Sequence, residues 1–172
     1  SKRSLTSVTA SWLPPENAEL SAAGVVALDM ETGEIAWATQ VTPGDSWNVA
    51  CAADSNAPNC PEDAGPDYDF GAAPILAQGA DGRDYLLAGQ KSGIAYGFDP
   101  ASGALLWQTQ VGRGGALGGV HFGIAADSGR LYVPVNDASW GTSTTEPARP
   151  GISALDIVSG EVLWHLPAAN VC

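Results

Sequence analysis

The stretch Ala27-Leu-Asp-Met-Glu-Thr-Gly-Glu-Ile-Ala-Trp37 decides the fold, because its pattern returns twice. It reappears as Gly97-Phe-Asp-Pro-Ala-Ser-Gly-Ala-Leu-Leu-Trp107 and as Ala154-Leu-Asp-Ile-Val-Ser-Gly-Glu-Val-Leu-Trp164. Each copy sets an Asp, a Gly four residues on and a Trp four residues further. An Asp carboxylate accepts backbone N–H groups and caps a turn. Gly supplies the positive φ that a bulged hairpin turn requires. The flanking runs, such as Gly24-Val-Val-Ala-Leu-Asp29 and Glu34-Ile-Ala-Trp-Ala-Thr39, are rich in strand formers. Each copy therefore predicts two antiparallel strands joined by a short turn, with Trp at a fixed place on the second.

The repeat spacing sets the larger plan. The tryptophans are 70 and then 57 residues apart, more than the roughly 40–45 residues of a four-stranded propeller blade. Insertions account for the excess, at 42–65 and 136–150. The middle unit reads as strands near Ala72–Gln78, Asp84–Ala88, Gly93–Phe98 and Ala104–Gln110. The last repeats this at Phe122–Ala126, Arg130–Val135, Ile152–Asp156 and Glu161–Leu166. The first has only its last two strands. The expected organisation is an all-β partial propeller of about two and a half blades, with 24–41 ending one blade, 66–111 the second and 119–167 the third. Blades bury their faces only against neighbours, so the chain reads as part of a larger ring. The competing reading is a small self-contained β-sandwich.

Composition narrows the partners. Among 172 residues the net charge is −12. Nucleic acid would demand a basic stripe, and an anionic membrane surface a polybasic patch. No apolar run approaches the roughly 18 residues of a membrane span. Ser1-Lys-Arg-Ser-Leu5 is not followed by an apolar signal core, so either an export signal has been removed or the chain begins inside a longer protein. Of three cysteines, Cys51 and Cys60 flank an eight-residue loop of Ala, Asn, Asp and Pro character without a nearby His. That favours a local disulfide, hence an oxidising, periplasmic or extracellular setting. Cys172 stands last, with no evident partner.

The Ala-Leu-Asp-x-x-Thr/Ser-Gly-x-x-x-Trp unit resembles the tryptophan-docking motif of quinoprotein dehydrogenases. Trp37-Ala-Thr-Gln40, Asp45-Ser-Trp-Asn-Val-Ala-Cys51, Cys60-Pro-Glu-Asp63, Pro66-Asp-Tyr-Asp-Phe-Gly-Ala-Ala-Pro-Ile-Leu76, Leu87-Ala-Gly-Gln-Lys-Ser-Gly93 and Val111-Gly-Arg-Gly-Gly-Ala-Leu-Gly-Gly119 are similar to the polyvinyl alcohol dehydrogenase-like branch. The resemblance implies an eight-bladed propeller that binds pyrroloquinoline quinone (PQQ) and a divalent ion, Ca²⁺ by expectation, on its axis. It implies an alcohol substrate, secondary or polymeric, and an electron acceptor such as a cytochrome c. The rest of the same propeller would be the chain's partner.

Alcohol oxidation by a quinone needs a base for the hydroxyl proton, a cation to polarise the accepting carbonyl, and a cofactor held in line. Asp67-Tyr-Asp69 reads as strand, with both carboxylates on one side, where a divalent ion between them keeps both ionised. The family's aromatic-Asp-aromatic pattern assigns the base to Asp69; an alternative alignment gives the base to Asp67 and makes Asp69 an added metal ligand. Against both stands a plain solvated turn after Pro66. An EF-hand loop fails, since its fifth and sixth positions fall on Gly71 and Ala72.

Lys91, one of two lysines in the chain, takes the place where the family sets a cation on the quinone oxygens; the plain reading is an exposed hairpin lysine. The loop from Val111 to His121 fails as a dinucleotide fingerprint, because the third Gly position is Leu117 and no helix follows. By resemblance it is an inter-blade loop that brings backbone close to the cofactor, with Arg113 facing its carboxylates and His121 facing the axial funnel. The Glu and Asn that complete the family's metal site cannot be placed, and no haem-attachment motif is present. The segment is therefore not expected to be active alone. A non-catalytic envelope scaffold and an unrelated ligand-binding β domain are the competing functions.

Overall fold

In the computed structural model, residues 3–6, 24–54, 56–138 and 145–169 are described. Two units are distinguished, Ser1–Asp69 and Phe70–Cys172, and each is taken by itself.

In the first unit, β1 (Arg3–Thr6), β2 (Gly24–Asp29) and β3 (Ile35–Gln40) form an antiparallel sheet in that order. The repeat predicted β2 and β3; β1 is an addition, pairing Arg3 with Asp29 through Thr6 with Val26. A short helix, α1 (Ala50–Ala53), lies in the first insertion. Cys51 and Cys60 are disulfide-bonded. Cys172 lies outside the described residues.

The second unit holds two four-stranded antiparallel sheets. One runs β4 (Ile75–Gln78), β5 (Asp84–Gly89), β6 (Ile94–Phe98), β7 (Leu105–Gln110). The other runs β8 (Ala125–Ala126), β9 (Arg130–Val135), β10 (Gly151–Asp156), β11 (Val162–Pro167). β4 and β8 begin later than expected. Before β4 the chain passes the backbone of His121 instead of a strand: a Cβ on Gly71 would stand 2.6 Å from the His121 carbonyl oxygen.

The three predicted hairpins are equivalent in detail. Trp37, Trp107 and Trp164 pair with Ala27, Gly97 and Ala154, and a bulge follows at the same step in each. Asp29, Asp99 and Asp156 each accept the N–H groups two and three residues on through Oδ1. Gly33, Gly103 and Gly160 have φ of 75°, 73° and 72°, open to Gly without the Cβ penalty.

Trp107 shows what the fixed tryptophan does. Its indole N–H donates to the Ile157 carbonyl of the next sheet at 2.9 Å, and Thr109 Oγ1 donates to the Gly160 carbonyl at 2.6 Å. Around this contact Tyr85, Leu87, Val120, Leu131, Val133, Leu155 and Ile157 form one apolar core across both sheets. Each such side chain stabilises by roughly 1.5–3 kcal/mol on burial. Trp164, in the last sheet of this chain, is 43% exposed, and its ring tilts against Tyr132 of its own sheet.

Candidate functional site

β5 and β6 are antiparallel neighbours, so the chain reverses between Gly89 and Ile94. The Gln90 N–H donates to the Ile94 carbonyl and the Gly93 N–H to the Gln90 carbonyl, both at 3.0 Å. This turn is not a solvated tip. Gln90, Lys91 and Ser92 are 0%, 8% and 9% exposed, whereas an ordinary hairpin lysine stays in water. Gln90 Oε1 accepts the Ser92 hydroxyl at 2.6 Å and the Tyr96 hydroxyl at 2.9 Å. Burial pushes the Tyr96 phenol above its ordinary range, and the Ser92 hydroxyl offsets part of that. Tyr96 also packs its ring against Phe70, centroids 5.5 Å apart.

The glycine-rich loop lies on this turn. Val111 and Gly112 donate to the Gly93 carbonyl, Gly115 to Lys91 and Val120 to Gln90, at 2.8–3.1 Å. Gly119 (φ 60°) has no room for a Cβ, which would overlap the Lys91 carbonyl. The glycines thus bring backbone against backbone, and what they approach here is the turn that carries Lys91.

A signal missed in the sequence organises the far side of that loop. Asp137, 2% exposed with φ 46°, accepts the N–H groups of Arg113 (3.1 and 3.0 Å), Gly114 (3.3 Å) and Arg149 (2.8 Å). Arg113 Nη2 donates to the Asp137 carbonyl and Nη1 to the Glu146 carbonyl. Nε of Arg113 is buried and makes no hydrogen bond among the described residues. Beside it lies a cavity of about 370 Å³ lined by Arg113, Glu146 and Arg149. His121 stacks on Phe122 at 4.2 Å and borders a different cavity of about 140 Å³. Lys91, Arg113 and His121 therefore belong to one loop–turn assembly, with Arg113 and His121 bordering different cavities.

In the first unit the strand expected at Asp67–Asp69 is absent. Asp67 has φ 64°, left-handed backbone, so strand alternation does not put its carboxylate on the side of Asp69. The stretch is held by a second residue that sequence reading did not single out. Asp45, 3% exposed, accepts the Asp67 N–H through Oδ1 at 3.2 Å and the Tyr68 N–H through Oδ2 at 2.6 Å. The Ser46 N–H donates to the Ala64 carbonyl, closing the neck of the insertion.

Among the described residues no three His, Cys, Asp or Glu side chains gather as a metal site. For a flat anionic quinone the donor chemistry fits: a buried ammonium at Lys91 on a hydrogen-bonded turn, and a guanidinium at Arg113 in the adjoining loop.

The architecture is that of a quinoprotein-type β-propeller. It aligns over 87% of this chain with a quinohemoprotein alcohol dehydrogenase from Comamonas testosteroni (TM-score 0.57, 19% identity, 19% of that chain). A europium-containing methanol dehydrogenase aligns as well (TM-score 0.57, 17% identity, 87% of this chain, 22% of that one). The chain belongs to the PQQ_2 family, described as outer membrane protein assembly factor BamB, whose model matches residues 21–133 and 90–171. The chain is also similar to a polyvinylalcohol dehydrogenase of Sphingopyxis sp. (strain 113P3), 43% identical over 143 residues, or 82% of this chain. A polyvinylalcohol dehydrogenase of Pseudomonas sp is 43% identical over 145 residues. The chain spans 22% of the length of each of these relatives.

Proposed function

We propose that this chain is a segment of a PQQ-dependent alcohol dehydrogenase, and that it contributes the proton-accepting carboxylate and one cationic cofactor contact. The observation that carries the reading is the burial of Lys91 on a turn clasped by the glycine-rich loop. An ammonium withdrawn from water needs opposite charge or hydrogen bonds around it, and an anionic cofactor seated on this turn would add to them.

β4 and β6 run in the same direction, so the start of β4 and the Lys91 turn share one end of their sheet. Starts of first and third strands are roughly 10 Å apart. Phe70 to Pro74 lead into β4 at that end, and Asp69 precedes them in the chain. In this reading the Asp69 carboxylate takes the substrate hydroxyl proton; Asp67 is the alternative base, and the two together offer oxygen ligands to a divalent ion, Ca²⁺ in the first instance. Bound PQQ would supply the acceptor for the hydride leaving the alcohol carbon. Lys91 would donate to the quinone oxygens and Arg113 would face the cofactor carboxylates, with His121 toward the funnel.

The blades are then 24–41 (the end of one), 66–111 and 119–167, with insertions 42–65 and 136–150. The remaining blades, an alcohol and an acceptor such as a cytochrome c are the partners. The disulfide supports a periplasmic or secreted protein. The assembly-factor description of the family model favours a second reading, a non-catalytic envelope propeller. The complete protein, supplied with PQQ, Ca²⁺, an alcohol and an artificial electron-accepting dye, decides between them. Alcohol-dependent dye reduction is expected; none from protein that has bound PQQ would leave the scaffold reading.

A further inference from the structure

We propose that Asp45 is a positioning residue for the candidate base: its carboxylate fixes the backbone immediately before Asp69. The inference rests on the dehydrogenase reading above.

Asp45 is withdrawn from water, and its two oxygens are divided between two consecutive N–H groups, those of Asp67 and Tyr68. Hydrogen bonds to an ionised acceptor are about twice as strong as neutral ones. They are needed here, because the backbone they hold is unfavourable. Left-handed backbone is unfavourable at a non-Gly residue, and such conformations persist only where the surroundings over-determine them. Asp67 is such a residue, with φ 64°.

The approach is also tight. A Cβ on Gly65 would stand 2.7 Å from Asp45 Cα, and Gly65 has φ 79°. The Ser46–Ala64 bond draws the two arms of the insertion together beside it. The clasp thus spans an insertion of some twenty residues and acts on the two amides that precede the base.

The chemistry of the clasp makes it testable by a near-isostere. Two N–H donors need two acceptors. Asparagine offers one oxygen and one NH₂, so Asp45→Asn satisfies one amide and turns a donor toward the other. The measurements are made on the complete protein. Hydrogen exchange of the 65–70 peptide, in PQQ-free protein, reads the clasp without reference to turnover. Wild type should protect the Asp67 and Tyr68 amides; free exchange there overturns the proposal without any variant.

In Asp45→Asn these amides should exchange faster. With PQQ retained and KM unchanged, kcat should fall roughly ten- to a hundred-fold, as a sub-ångström to ångström displacement of a reacting group does. Asp45→Glu, which keeps two acceptors on a longer stem, should recover part of kcat. A residue that merely stabilised the insertion would lower the melting temperature and leave kcat of the folded fraction intact. Wild-type kcat in Asp45→Asn therefore overturns this inference alone. Absence of turnover in PQQ-loaded wild type removes the dehydrogenase reading and this inference with it.

Discussion

Trp107 donates its indole N–H to the carbonyl oxygen of Ile157, fifty residues away in sequence and 2.9 Å away in space. The bond ties two sheets together through a side chain from one repeat and the turn of the next. Trp107→Phe in the complete protein should cost about 1–3 kcal/mol, since it leaves the Ile157 carbonyl unpaired and a gap beside the ring. The check is the midpoint of chemical denaturation.

Gly119→Ala should act on the Lys91 turn. Its Cβ would overlap the Lys91 carbonyl and its backbone is left-handed. The turn must shift or the loop must lift, at a cost on the order of 1–3 kcal/mol. PQQ titration followed by protein fluorescence should show weakened binding, together with a lower melting temperature. Unaltered binding would detach the glycine-rich loop from the cofactor site.

Substitutions at the two proposed reacting groups should separate. Asp69→Asn keeps shape and removes the base, so turnover should be lost while PQQ remains bound. Lys91→Ala should weaken cofactor binding and rate together. Near-normal turnover by Asp69→Asn would transfer the role of base to Asp67.

Acid should loosen the turns before the core. Hydrogen bonds from the Ser102 hydroxyl and N–H hold the Asp99 carboxyl below its ordinary value of 3.8. The Arg83 N–H and the Tyr85 hydroxyl do the same for Asp81, and the Tyr132 hydroxyl for Asp127. A carboxyl whose folded pKa is depressed contributes stability that is present above the unfolded value and lost as pH falls through the folded one. Melting temperature should accordingly decline below about pH 4. Asp99→Asn should flatten part of that decline.

Reduction of Cys51–Cys60 should destabilise the insertion. The bond closes a loop of sequence separation 9, for which chain entropy gives about 2.5–3 kcal/mol. Proteolysis should cut within 42–65 faster after reduction, and peptide mapping locates the cut.

The repeat was legible because its three parts are local. Asp caps its own turn, Gly bears the turn's φ, and Trp falls at a fixed register on the next strand, all within eleven residues. The disulfide was legible for the same reason. Asp45 and Asp137 were not, because nothing local distinguishes them from solvated aspartates. Their partners lie 22 and 24 residues off, and those partners are backbone amides, which every sequence has. Asp67 was misread as strand because its left-handed backbone is imposed from outside by Asp45. The late start of β4 has a similar cause in the passage of Gly71 along His121.

The Lys91 turn is secured by main-chain bonds to Val111, Gly112, Gly115 and Val120. Those bonds are indifferent to the side chain at position 91. The seat and its occupant are therefore separable traits: a lineage can exchange the cation, or discard it, while the mould persists. If Lys91 is the cofactor contact proposed above, a propeller with this loop and turn but another residue at position 91 would keep the mould and lose that contact.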